Sequence, residues 1–185
     1  MLTLNFSRIK NSSAPLTHID RDVEVRPEFL KRSEKLLFEA SNIHVTGDLF
    51  FDEPYVTGNF KVVADLVVPS SRSLKPVKLH EEFSFTENYS QEKPTKEELE
   101  ENTDPIVKIS NDQIDLQTAI EDNVLLNIPT TILTPEEKKK DIYPEGKGWE
   151  VISEKTFDEG KKNQINPAFA KLKVLLNNDQ KNEGK

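Results

Sequence analysis

The residues best equipped for chemistry stand between two prolines. Pro69-Ser70-Ser71-Arg72-Ser73-Leu74-Lys75-Pro76 carries the only arginine after Arg32, three serine hydroxyls and Lys75, with Lys78 just beyond. A guanidinium flanked by hydroxyls and loop amides can grip a phosphate through two parallel hydrogen bonds, and the lysines would add point charges to the same patch. The same guanidinium could instead tie the segment back to Asp65, Glu81 or a backbone carbonyl, because arginine serves both roles well. Trp149, the single tryptophan, could stack on a base or anchor its own loop by burial. Ser70, Arg72, Ser73, Lys75, Lys78 and Trp149 are therefore the candidate contacts to a nucleic acid or another partner.

The remaining reactive residue types form no recognised constellation. His44 alternates with Ile43 and Val45, which reads as a half-exposed strand histidine, and neither His18 nor His80 has neighbours at metal-ligand spacing. Glu81 and Glu82 are adjacent, so on a strand they point to opposite faces and make a poor acid–base pair. Gly146-Lys147-Gly148 lacks the preceding strand and following helix that a phosphate-binding loop requires. The expectation is no catalytic residue, no metal, no cofactor and no small-molecule substrate. A hydrolase built on scattered carboxylates ranks last of the function classes.

The serine-rich link must be positioned by its flanks. Val56, Gly58, Phe60, Val62, Ala64 and Leu66 alternate before it, and Val77, Leu79, Phe83 and Phe85 keep even spacing after it, so both sides predict strands with one buried face. Each proline removes a donor and holds the preceding residue extended, which keeps both ends out of a central ladder. A long strand over 36–51, bulged near Ser41-Asn42, turns at Asp52-Glu53-Pro54 and forms a hairpin with 56–68. A strand over 2–9, a short helix over 27–35 opened by Pro27, and a strand over 105–110 complete the first part. Leu116, Ala119, Ile120 and Val124 recur at helical spacing behind a capping Asp115, giving a helix over 116–126, and Asn166-Pro167 opens another over 167–177. The predicted fold is α+β: an antiparallel, strongly bent or barrel-like sheet with two or three packed helices. It forms one domain over 1–177, followed by a frayed tail over 178–185.

Composition narrows the partners. The 185 residues have a net charge of −8, and residues 86–145 hold 6 Lys and Arg against 15 Asp and Glu. A broad phosphate-binding surface does not fit that acidic middle, but either end remains free to meet nucleic acid. Within it, 86–104 has Leu99 as its only aliphatic residue, so it reads as a mobile acidic loop. Cysteine is absent, which excludes disulfides and thiolate metal sites and agrees with a reducing cytoplasm. No apolar run reaches the roughly 18 residues that span a bilayer, so no membrane partner is expected.

Three blocks give the chain a resemblance to the YceD family of large ribosomal RNA subunit accumulation proteins, in its Gram-positive form. They are Leu66 to Val77, Ile114-Asp115-Leu116 through Ile128-Pro129, and Asn166-Pro167-Ala168-Phe169-Ala170-Lys171-Leu172. The resemblance implies a non-enzymatic, cytoplasmic factor for 23S ribosomal RNA accumulation or processing during large-subunit biogenesis. Its partners would be that RNA, a precursor particle or ribosomal proteins. Family members commonly have cysteines at the positions of Ser70 and Ser73, and many have a second pair where this chain has Thr134-Pro135-Glu136-Glu137-Lys138. Any metal held by those relatives therefore has no thiolate ligands here. An acidic adaptor for basic ribosomal or assembly proteins is the alternative, since the middle segment could mimic RNA.

Overall fold

The computed structural model describes residues 1–140 and 143–163. Its contacts divide the chain into two compact units, Met1–Thr134 and Pro135–Lys185. The first unit runs β1 (Thr3–Asn5), α1 (Phe6–Lys10), β2 (Thr17–Val23), α2 (Pro27–Ser33), β3 (Glu39–Asp52), β4 (Tyr55–Pro69) and β5 (Pro76–Ser90). It continues through α3 (Lys96–Glu101), β6 (Ile106–Lys108), β7 (Gln113–Asp115) and α4 (Leu116–Leu126). In the second unit are α5 (Pro135–Lys140), the short hairpin β8 (Glu145–Gly146) and β9 (Trp149–Glu150), and α6 (Glu154–Asn163).

Five strands form one sheet in the order β2-β3-β4-β5-β6, and β1 pairs separately with β7. β4 supplies the organising pattern. Val56, Gly58, Phe60, Val62, Ala64, Leu66 and Val68 are buried on one face, while the residues between them face outward. Burying each of the larger side chains contributes about 1.5–3 kcal/mol, so this face dominates the first unit's core. The Phe60 ring lies over two glycines: a Cβ at Gly58 would come within 2.5 Å of the ring, and one at Gly47 within 2.4 Å of the Asn59 carbonyl oxygen. Only glycine permits such an approach.

The predicted hairpin of β3 and β4 forms, β4 and β5 pair across the link, and the bulge appears where Ser41-Asn42 suggested it. The β3–β4 register shifts between Ser41 and His44, and Asn42 takes a left-handed φ of 50°. Pro69 and Pro76, expected to stay out of a central ladder, instead face each other as the last pair of the interior β4–β5 ladder, where a missing donor costs least. Asp115 caps α4 by accepting the Thr118 amide, at the boundary its sequence predicted.

Other expectations need correction. The strand predicted over 2–9 stops at Asn5, whose side chain accepts the Arg8 amide at 2.7 Å and starts α1. Phe6 and Ile9 are then buried at helical spacing. β2 has no counterpart among the predicted strands, because Ile19 and Val23 bury only two of its seven positions.

The sheet is mixed and its ladder does not close into a barrel: β5 and β6 run parallel. Parallel neighbours require a crossover, and residues 91–105 supply it. The acidic stretch predicted as a loop over 86–104 thus begins as the end of β5 and includes α3. That helix is held by a capping box in which Thr95 and Glu98 satisfy each other's amides. The helix predicted over 167–177 lies outside the described residues.

One buried ion pair joins α2 to α4. The Glu121 carboxylate is wholly buried and accepts from the Arg26 amide at 2.9 Å, Arg26 Nε at 3.0 Å, Arg26 Nη2 at 2.5 Å and Gln117 Nε2 at 3.0 Å. Desolvation pushes its pKa upward, but the hydrogen bonds from Arg26 and Gln117 outweigh that and leave it below the ordinary range. Arg26→Ala strands a buried charge, and urea denaturation is expected to show a loss of about 3–5 kcal/mol. α3, by contrast, buries no residue. A glutamate-specific protease is expected to cut first between Glu97 and Glu101, and mass spectrometry of the earliest fragments checks this.

Candidate RNA-contacting link and the ion-paired sheet face

The link between β4 and β5 is bracketed by its own serines. Ser70 is fully buried, and its hydroxyl oxygen accepts the amides of Arg72 at 3.1 Å and Ser73 at 3.4 Å. Its amide donates to the Lys75 carbonyl at 2.8 Å, which closes the turn. Ser71 fastens this turn to the chain after α4: its amide donates to the Ile132 carbonyl at 2.8 Å, and its hydroxyl accepts the Ile132 amide at 2.9 Å. The Ser70 hydroxyl therefore fixes the backbone of the link by hydrogen bonding.

The candidate residues divide between the two units. Arg72 is half-buried, whereas Ser73, Lys75 and Lys78 are exposed. Lys78 lines a groove of about 460 Å³ together with Asn42, Asp65 and His80. Leu74 is 71% exposed with a left-handed φ of 58°, which places an apolar side chain at the tip among the cations. Trp149 is 56% exposed and belongs to the second unit, where its indole covers Gly146 so closely that a Cβ there would meet Nε1 at 2.4 Å. It packs its hairpin and keeps an open ring surface.

A second arrangement escaped the sequence reading. All three histidines lie on the outward face of the sheet, each opposite an aspartate: His18 with Asp48, His44 with Asp22, and His80 with Asp65. The Nδ1 to Oδ1 distances are 2.8, 2.7 and 2.7 Å. Lys61 and Glu82 make a fourth cross-strand pair at 2.7 Å. Such pairs are visible only once the register is known, and two of them depend on β2. Among the described residues, no group of three or more His, Cys, Asp or Glu is arranged to hold a metal ion.

The first unit is thus an α+β sheet module that presents a pinned, cation-bearing hairpin link at one end. The chain belongs to the YceD family: residues 58–176 match the family described as "Large ribosomal RNA subunit accumulation protein YceD". It is also 32% identical over 166 residues to "Uncharacterized protein YlbN" of Bacillus subtilis (strain 168), an alignment covering 89% of this chain and 92% of that one. No solved structure matches it. No described helix is long and apolar enough to cross a membrane.

Two of the histidine–aspartate pairs give the sheet a pH dependence, since the partner aspartates raise His44 and His80. The hydrogen bond to Asp65 raises His80 above its ordinary range, while Asn42 and His80 together lower Asp65. A raised histidine stabilises the fold below its unfolded pKa and loses that contribution as pH rises through its folded value, and a lowered aspartate loses its own as pH falls. The stability gap between wild type and His80→Gln is therefore expected to be widest at about pH 4.5–6 and to narrow above about pH 8. Urea midpoints measured across that range check it.

Proposed function

We propose that this protein is a non-enzymatic, cytoplasmic factor in the accumulation of 23S ribosomal RNA, contacting that RNA or a large-subunit precursor through the β4–β5 link. Family membership carries the reading. The link supports it: a turn held by Ser70 and Ser71 keeps its shape on meeting a ligand, so little ordering entropy opposes binding. Exposed Lys75 and Lys78 offer point charges to phosphates, Arg72 a planar donor fork, and Leu74 an apolar contact. Trp149 has an open face on which a base can stack.

The alternative reading, an adaptor for basic ribosomal or assembly proteins, draws support from α3. Its four glutamates crown a helix with no buried residue.

Salt dependence separates the two. Under the RNA reading, wild type binds 23S transcripts or precursor particles with an affinity that falls steeply with salt. Lys75→Gln/Lys78→Gln then lowers the slope of log K against log[salt] by about 0.7–0.9 for each phosphate that no longer meets a lysine. Arg72→Ala is expected to weaken binding, and melting measured on the same preparation separates a lost phosphate contact, which leaves the melting temperature in place, from a lost tie within the link, which lowers it. Absence of RNA binding together with tight capture of a basic ribosomal protein overturns the RNA reading.

A further inference from the structure

The first unit buries two carboxylates, and only one has a cation. Glu121 is neutralised by Arg26. Glu87, 9% exposed, accepts from the Asn123 amide at 3.1 Å and lies against the Tyr89 hydroxyl, both neutral groups, and among the described residues no lysine or arginine pairs with it. A buried charge without a partner is costly. Desolvation accordingly pushes the Glu87 pKa upward, and the Asp122 carboxylate adds to the effect.

Two residues further along the same face of β5 stands Tyr89. It is 1% exposed, and its hydroxyl has no hydrogen-bond partner of acceptable geometry. Glu87 is its nearest polar neighbour, and burial, then the charge of Glu87 and a loose hydrogen bond to it, push the phenol upward. Buried hydroxyls in folded proteins are nearly always satisfied. Both groups line a single cavity of about 500 Å³, walled on its apolar sides by Val107, Ile109 and Ala119; Met1 and Lys108 also line it, and neither is paired with Glu87. The other carboxylates on its wall are already committed, Asp115 to the cap of α4 and Asp122 to Arg32. Glu87 and the Tyr89 oxygen are thus left as two acceptors at the end of an apolar channel.

We infer that this cavity binds an organic cation, with an ammonium or guanidinium group donating to Glu87 and Tyr89 and an aliphatic stem lying along Val107, Ile109 and Ala119. A cation removes the cost of the buried charge, and its several N–H donors fill both empty acceptor positions. The stem buries apolar surface as the methylenes of lysine and arginine do. This chemistry is common to free amines and to basic side chains of a protein. The site is separate from the β4–β5 link, so it stands or falls independently of RNA binding.

The test is a titration of the full chain followed by amide resonances, with 1-aminobutane, agmatine and spermidine as free cations. Blocked lysine and arginine amides stand in for protein side chains, and butan-1-ol serves as the neutral control. The cations are expected to shift Tyr89, Val107 and Ile109 with dissociation constants of about 10 mM or tighter, the alcohol to leave them unmoved, and Glu87→Gln to weaken binding at least tenfold. Glutamine can still accept from Asn123 and carries no charge, so Glu87→Gln should melt at or above the wild-type temperature. Tyr89→Phe, which keeps the ring, should weaken binding without unfolding the chain. Tighter binding by the free amines identifies a small-molecule ligand, and tighter binding by the blocked residues identifies a protein one. Equal shifts with butan-1-ol, unchanged affinity in Glu87→Gln, or no shift with any cation at about 50 mM overturns the proposal.

Discussion

The strict two-residue period of β4 is the constraint on which the first unit depends. Because its side chains alternate between a wholly buried face and an outward one, a slip of one residue against either neighbour would carry Val62, Ala64 and Leu66 into water. The glycines beneath Phe60 reinforce the register, since the ring fits only where two positions lack a Cβ. Everything on the outward face inherits its position from this. The histidine–aspartate pairs, the Lys61–Glu82 pair and the end-to-end meeting of Pro69 with Pro76 all follow from one register.

Charge is handled differently on the two sides of the sheet. Outside, ion pairs are exposed and solvent weakens them, so they tune the surface more than they hold it. Inside, Arg26 and Glu121 bind through several hydrogen bonds, and the pair orients α2 against α4 as well as neutralising the carboxylate. The link belongs to neither pattern. Its shape comes from serine hydroxyls and backbone groups, while the ammonium groups of Lys75 and Lys78 stay at the surface.

Much of this was legible in the sequence because period and punctuation agreed. β3, β4 and β5 alternate over long runs bounded by turn residues, and α4 has both a stripe and a cap. The first strand was misjudged because Leu2, Leu4 and Phe6 continue an alternation that Asn5 interrupts by hydrogen bonding locally. α3 was hidden because its stability rests on the Thr95–Glu98 box and on Tyr55 donating to Glu98, not on an apolar face. The link's residues were visible as types, but the burial of Ser70 and the anchoring of Ser71 to Ile132 depend on contacts across some sixty residues. Glu87 gave no signal at all, since nothing local distinguishes a buried carboxylate from the exposed glutamates around it.

The pairing of β1 with β7 sets an order of assembly. Thr3 lies opposite Asp115, and Asp112 holds both Asn5 and Ser7, so β1 finds its partners only after more than a hundred further residues have been synthesised. The hairpins of β3, β4 and β5 join neighbours in sequence and can close early, whereas the loop that seats β1 carries the greatest closure entropy. As the chain emerges from the ribosome, β1 must wait for its ladder until β7 appears, and Phe6 of α1 stays uncovered until β3 brings Phe51 against it. Any agent that captures nascent apolar segments meets this one before the sheet that will cover it.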